Sequence, residues 1–402
     1  MTDRVLVTGL GGLSALGTGA GRLWTRLVAG EHGVRPLQRL TEETSGIRIG
    51  AEVQDYEPKD HFAEDELRIL DRFSQYALVA AQEAVSDAGL EPAALERAAL
   101  VLGTGCGGKE TDEFTYQRLY LQGKRRAHPL TIPKGMPSAA SSQISIRFGI
   151  RGPSFSVTSA CASTNHAVAQ ALLLLRSGVV DLALAGGTDA PFTPGLIKAW
   201  EALRVLSPDA CRPFSHDRNG LVLGEGAGIV VLETEASARR RRAKIYAELA
   251  GFGMSSDAAD ITEPSADGAA AAIRAALADA RIDPGEVDYV NAHGTGTAAN
   301  DLTETRAIRQ ALGAAAERTA VSSTKAAHGH ALGAAGALEL IATVMAIRDG
   351  VVPPTLNLNK PAEGCDLYYV PNQAEERPVR AALSNSFGFG GLNAVLALRP
   401  CP

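Results

Sequence analysis

Three short stretches of the 402-residue chain hold side chains able to move protons or form covalent bonds. In "VTSACAS", Cys161 stands where an apolar run, "FSVTSA", gives way to a helical stretch, "ASTNHAVAQALLLL". A thiol at a strand-to-helix turn sits near the positive end of the helix dipole, which favours thiolate. The alternative is a small buried hydrophobe. In "VNAHGTGT", His293 ends another apolar run; Gly294 and Gly296 let backbone approach a ligand, while Thr295 and Thr297 offer hydroxyls. A turn histidine bonded to its own loop is the alternative there. The third stretch, "TKAAHGHALGAAGALE" (324–339), sets His328 two positions from His330, with Lys325 before them and Glu339 behind. A metal site needs three or four ligands from His, Cys, Asp or Glu. No thiol or carboxylate stands near the pair before Glu339, so no metal is expected at it. Lys325 and Glu339 read equally well as a structural ion pair. A fourth stretch, "SNSFGFGGLN" (384–393), lacks the Lys or Asp of a nucleotide loop. It reads as a tight Gly-rich turn beside an aromatic core, or as a gate of amides and rings facing the cysteine.

What could hold these groups together? Hydrophobic residues make up 45% and charged residues 21%, enough for a full core without extensive disorder. A formal charge of −6 argues against a nucleic-acid surface. No apolar run approaches the roughly 20 residues that span a bilayer, and "MTDRVLVTGLGG" starts a strand without a signal layout. Cys106, Cys161, Cys211, Cys365 and Cys401 are odd in number and form no CxxC pair, which suits a reduced cytoplasmic protein. Apolar runs such as "RVLVTGLG", "AALVLGTG", "VDLALAGG" and "VDYVNAHG" alternate with Ala/Leu-rich helical stretches, which predicts layered α/β architecture. The chain also repeats itself. "AAQEAVSDAGLEP" aligns with "AAIRAALADARIDP", "LGTGCGG" with "NAHGTGT", "SVTSAC" with "AVSSTK", and "RSGVV" with "RDGVV", all in the same order. Two related halves are expected, residues 1–245 and 246–402, with the Cys161, His293 and His330 segments converging between them.

Taken together, "VTSACAS", "VNAHGTGT", "STKAAHGHALGAAGALE", "RPFSHDRNGLVLGEGAG" and "SNSFGFGGLN" resemble the β-ketoacyl-acyl carrier protein synthases of the elongating, type II branch, from first strand to last. The resemblance implies the thiolase fold, a five-layered α-β-α-β-α body of two duplicated halves. It implies that Cys161 takes an acyl chain from carrier-protein phosphopantetheine as a thioester. It implies that His293 and His330 assist decarboxylation of the malonyl carrier protein, with Lys325 and Glu339 as an electrostatic pair behind them. The Cys161 and Phe389 amides would form the oxyanion hole, with Phe389 also a gate. Thr262, Thr295 and Thr297 would grip pantetheine, and Cys106 and Phe387 would border the acyl pocket. No cofactor beyond the carrier arm is implied. The partners implied are an acyl carrier protein and either a second copy or a chain-length-factor-like subunit.

Departures from the family pattern narrow the branch. His328 stands where a small polar residue is usual, and Leu392 where Thr is commoner, both closer to nodulation-type and specialised polyketide enzymes than to housekeeping fatty acid synthases. His330 is expected to be essential, and His328 a bystander packed or bonded beside Lys325. Cys106, smaller than the bulky apolar residue of many relatives, would lengthen the pocket or open it toward the partner. An acidic carrier protein needs a basic patch; Arg68 and Arg72, or Lys124, Arg125 and Arg126, are the candidates. A housekeeping elongation synthase remains an alternative. A biosynthetic thiolase would need a second cysteine in the C-terminal glycine motif, and a chain-initiating synthase a Cys–His–Asn set. A chain-length subunit would lack the nucleophile.

Overall fold

The computed structural model describes residues 4–40 and 45–401. Ten strands lie on the apolar runs: β1 (Val5–Ser14), β2 (Ala99–Gly103), β3 (Ser154–Val157), β4 (Leu182–Asp189), β5 (Gly226–Thr234), β6 (Ala247–Ser256), β7 (Tyr289–Asn291), β8 (Ala320–Ser322), β9 (Ala382–Gly388) and β10 (Leu392–Arg399). They form one path in the order β8-β7-β9-β10-β6-β1-β5-β4-β2-β3. Numbered within its own half, each set of five strands has the order 3-2-4-5-1. The directions agree as well. The second strand is parallel to the third and fourth, and the remaining pairs are antiparallel, in both sets. This is duplication written in topology.

The two sets join where β1 meets β6 over a single short register, Leu6 opposite Glu248 and Val7 opposite Ala247. Helix α1 (Arg72–Asp87) covers β1, β4 and β5 on one outer face. Among the other helices are α2 (Lys109–Tyr116), α3 (Ser163–Arg176), α4 (Pro194–Ala202), α5 (Ala266–Ala280), α6 (Ala298–Leu312), the single turn α7 (Lys325–His328) and α8 (Ala335–Asp349). Helix α5 covers β6, β9 and β10 on the opposite face, with α6 beside it. Helices α3 and α8 touch strands of both sets and form the middle layer, giving five layers, α-β-α-β-α.

Composition explains which helix goes where. Every residue of α8 from Ala335 to Ile347 is buried, so it has no polar stripe to show to water and belongs in the centre. The outer helices dock through glycines. A Cβ on Gly11 would lie 2.0 Å from the carbonyl oxygen of Ala80, and one on Gly253 the same 2.0 Å from that of Ala272. Bare backbone at these points lets the helices seat directly on β1 and β6.

One expectation needs correction. "SNSFGFGGLN" is mostly strand: Ser384 to Gly388 belong to β9, and Gly388 pairs with Leu392 of β10. Only residues 389–391 turn the chain. Gly390 (φ 79°) and Gly391 (φ 69°) supply the left-handed backbone that this three-residue hairpin loop requires. Alternation of inward and outward side chains along β9, rather than glycine content, governs the segment.

Candidate active site

Parallel strands leave their following loops at one edge, and here the loops after β2, β3, β7 and β8 meet. Strand β3 stops at Val157, and a tight turn carries Cys161 to α3. Ala160 within it has φ 51°, a left-handed conformation a side chain rarely adopts. Ser163 supports it: its hydroxyl donates to the Ala160 carbonyl (2.6 Å) and accepts from the Ser159 amide (2.9 Å). The Cys161 Sγ lies 3.1 Å from Nε2 of His330. The expectation of a ready thiolate is corrected. Burial pushes the Cys161 thiol up to about 12, against the opposing pull of the Lys325 charge. With the thiol 8% exposed, desolvation of the anion outweighs the helix end.

His293 closes β7 and is fixed from behind. Its amide donates to Oε1 of Glu304 (2.8 Å) and the Gly294 amide to Oε2 (2.7 Å), while Nδ2 of Asn385 donates to Oε1 (3.1 Å). Lys325, wholly buried on α7, brings Nζ to 3.3 Å from Nδ1 of His293 and forms an ion pair with Glu339 of α8. An ammonium only donates, so Nδ1 of His293 accepts and Nε2 carries the ring proton. Burial and the Lys325 charge hold His293 far below the ordinary histidine range, and the same causes, with His328, lower His330. Both rings are therefore neutral. They meet edge to face with centroids 5.3 Å apart.

The remaining expected residues fall around this centre. Phe387 lines the cleft with its ring 6.0 Å from that of His293. Phe389, 38% exposed at the hairpin tip, stacks on Trp200 of α4 at 6.0 Å. Gly388 beside it comes so near the Cys161 turn that an added Cβ would be 3.3 Å from the Cys161 nitrogen. Thr295 and Thr297 share a hydrogen bond of 2.8 Å on the cleft wall. Thr262 lies exposed at the mouth, its hydroxyl donating to Asp260 (3.0 Å). Cys106 is half-buried and lies outside the cleft lining. It packs against an apolar cluster that includes Phe192, Ile197, Leu332 and the cleft residue Leu221, as do Trp200 and Val205 of the cleft lining. The His328 ring, in the same turn as Lys325, bonds to Thr324 and to the Gly329 carbonyl.

Composition-based reading missed the supports. Glu304 sits eleven residues beyond His293, inside α6, and nothing local marks it as a brace for that loop. Asp189, at the end of β4, gathers the amides of Gly105, Cys106 and Gly333 at 2.7–3.0 Å, tying both halves' loops together. Nor did anything in the sequence mark Trp200 as the ring that Phe389 stacks on. The sole set of three ligating side chains gathered among the described residues is Cys161, His293 and His330, within 4.8 Å of one another. His328 is not part of it.

Residues 2–238 match the β-ketoacyl synthase N-terminal domain, and residues 246–359 the β-ketoacyl synthase C-terminal domain. Nodulation protein E of Rhizobium sp. (strain N33) is 51% identical over 99% of this chain and 100% of its own length. The 3-oxoacyl-[acyl-carrier-protein] synthase 2 of Staphylococcus aureus (strain COL) is 41% identical over 98% of each chain. Among solved structures, the ishigamide ketosynthase/chain length factor superposes with a TM-score of 0.95 at 39% identity, covering all of both chains. A type II polyketide ketosynthase in complex with its acyl-carrier protein, bound to a hexaketide, gives 0.90 at 32% identity, again over both whole chains. The chain belongs to the β-ketoacyl synthase family.

Proposed function

We propose that Cys161, His293 and His330 carry out a decarboxylative Claisen condensation on carrier-protein thioesters. The enzyme class, an acyltransferase that builds β-ketoacyl chains in fatty acid or polyketide pathways, is that of the family. In loading, the Cys161 sulfur bonds to the acyl carbonyl carbon, its proton passes to Nε2 of His330, and the pantetheine thiol leaves with a proton. In decarboxylation, the bond to the malonyl carboxylate breaks and carbon dioxide departs. Its electron pair becomes an enolate whose oxygen is held by the Nε2–H of His293 and by His330. The enolate carbon then attacks the acyl group on Cys161. The resulting oxyanion rests on the Cys161 and Phe389 amides until the Cys161 sulfur is expelled.

The observation that carries this is the contact of Cys161 with His330 beside a His293 whose proton Lys325 confines to Nε2. The electron pair comes from the malonyl carboxylate, so the scheme calls on no redox group or metal. A free thiol nucleophile fits a reducing cytoplasm. Lys325 and Glu339 set the electrostatics, Thr262, Thr295 and Thr297 meet the pantetheine arm, and Phe387 and Phe389 border the acyl entrance. The boundary near residue 245 between the halves 1–245 and 246–402 belongs to the same proposal, supported by the repeated strand order. The 51% identity to a nodulation protein supports a specialised rather than housekeeping acyl chain. The test is intact-protein mass spectrometry after incubation with an acyl-carrier protein. An acyl adduct mapped to Cys161, absent in Cys161→Ala, is expected; folded protein without an adduct would refute the scheme.

Cys106, packed against the apolar cluster beside the cleft, is proposed to limit chain length. Cys106→Phe should shorten the products, read as a chromatographic shift in chain-length distribution; an unchanged distribution removes Cys106 from that role.

A further inference from the structure

His330 must keep one ring nitrogen on the Cys161 sulfur, yet nothing among the described residues holds its other end. Its Nδ1 is buried and has no hydrogen-bond partner among them. The ring's aim therefore depends on the backbone that carries it. That backbone passes through Gly329, whose φ of 69° and ψ of 178° are open to glycine and strained for other residues. A peptide unit entering such a residue's neighbour can swivel unless both its ends are tied.

Both ends are tied here. The His330 amide donates to the Val222 carbonyl at 2.7 Å, and the His330 carbonyl accepts from Gly224 at 2.9 Å. The Gly329 carbonyl, at the other end of the same peptide unit, lies 2.8 Å from Nδ1 of His328. A carbonyl oxygen only accepts, so Nδ1 of His328 carries the hydrogen. Burial lowers His328 to about 3, so the ring is neutral and Nε2 holds a lone pair. Thr324 Oγ1, 2.9 Å away, donates to it. The threonine thus selects the tautomer that can reach the Gly329 carbonyl.

We propose that His328 is a positioning residue, whose Nδ1–H clamps the Gly329–His330 peptide and so aims the His330 ring at the reacting atoms. The inference rests on the functional reading of His330 given above. It replaces the expectation from sequence that His328 is a bystander.

The geometry gives a test that separates clamping from packing. In asparagine, Nδ2 hangs from Cγ where Nδ1 hangs in histidine, so His328→Asn can still donate to Gly329. Glutamine is nearer histidine in size but carries its amide nitrogen one bond further out. In the full-length enzyme with its carrier proteins, His328→Ala is expected to lower condensation kcat about ten-fold while KM for malonyl-carrier protein stays within about two-fold. His328→Asn should recover most of that loss and His328→Gln little of it, with thermal midpoints recorded for all three. Equal activity of the Asn and Gln variants, or recovery following size and midpoint, would overturn the clamp. So would an unimpaired, folded His328→Ala. If His328→Ala does not fold, the Asn and Gln variants decide alone. His330→Ala serves as the separate control: if it still condenses, the functional reading itself fails, whatever the His328 variants do.

Discussion

At the scale of single residues, desolvation and a fixed ammonium together set the protonation of the site. Burial and the Lys325 charge keep His293 neutral, Lys325 sets its proton on Nε2, and burial keeps the Cys161 thiol protonated until it reacts. The sign of the pH dependence follows. With the thiol raised to about 12, the thiolate fraction should grow about ten-fold per pH unit across the whole usable range. Alkylation of Cys161 by iodoacetamide, followed by mass spectrometry, should therefore climb from about pH 7 to about pH 10 without levelling. A plateau beginning near neutrality would mean a standing thiolate–imidazolium pair instead. Cys161, His293 and His330 were legible in the sequence because strand–turn contexts and family motifs surround them. Glu304 and Asp189 were not, because each braces a loop from another element through backbone amides. Such acceptor roles leave no trace in local spacing. The thiolate expectation failed for a related reason: burial depth is a property of the assembled layers, not of the "VTSACAS" turn.

At the scale of elements, glycine placement repeats where sequence identity has faded. Gly9 and Gly11 press on Ala84, Ala88 and Ala80 of the first outer helix segment, and Gly251 and Gly253 press on Ala280 and Ala272 of the second. These are the very helices whose sequences, "AAQEAVSDAGLEP" and "AAIRAALADARIDP", betrayed the duplication. Backbone contact this close leaves no room for a methyl group. Gly253→Ala should force α5 away from β6 and cost about 1–3 kcal/mol, measured as a fall in the urea midpoint of unfolding. An unchanged midpoint would show that the helix slides without penalty. The alternation of strands and helices was readable from apolar periodicity. The hairpin of β9 and β10 was hidden by its glycines, which signal a turn and mask the strand residues on either side.

At the scale of the whole molecule, two basic segments that looked separate in sequence meet beside α2. Arg68 and Arg126 line one surface pocket with Arg118 and Lys134, and Glu110 is the only carboxylate among its lining residues. Arg72, the other arginine considered for docking, pairs with that Glu110 at 3.3 Å. A pocket lined by four cations suits an acidic carrier protein. Replacing Arg126 and Lys134 together by glutamate should raise KM for the carrier protein about ten-fold at low salt, with kcat unchanged. The difference should shrink as salt is added, checked by kinetics over a salt series; a salt-independent defect would place docking elsewhere. The five-layer body itself could be inferred only through the family resemblance, since periodicity reports strands and helices but not how many sheets they build.

The stacking of Phe389 on Trp200 has an optical consequence. The chain has two tryptophans, and the other, Trp24, is buried with its indole nitrogen donating to Asp349 at 2.7 Å. It packs in the central core, apart from the hairpin tip. Any swing of Phe389 away from α4 uncovers one indole face alone, so a change in ultraviolet emission on acylation can be ascribed to a single side chain. The enzyme carries its own spectroscopic reporter, at the entrance to the site, without an added label.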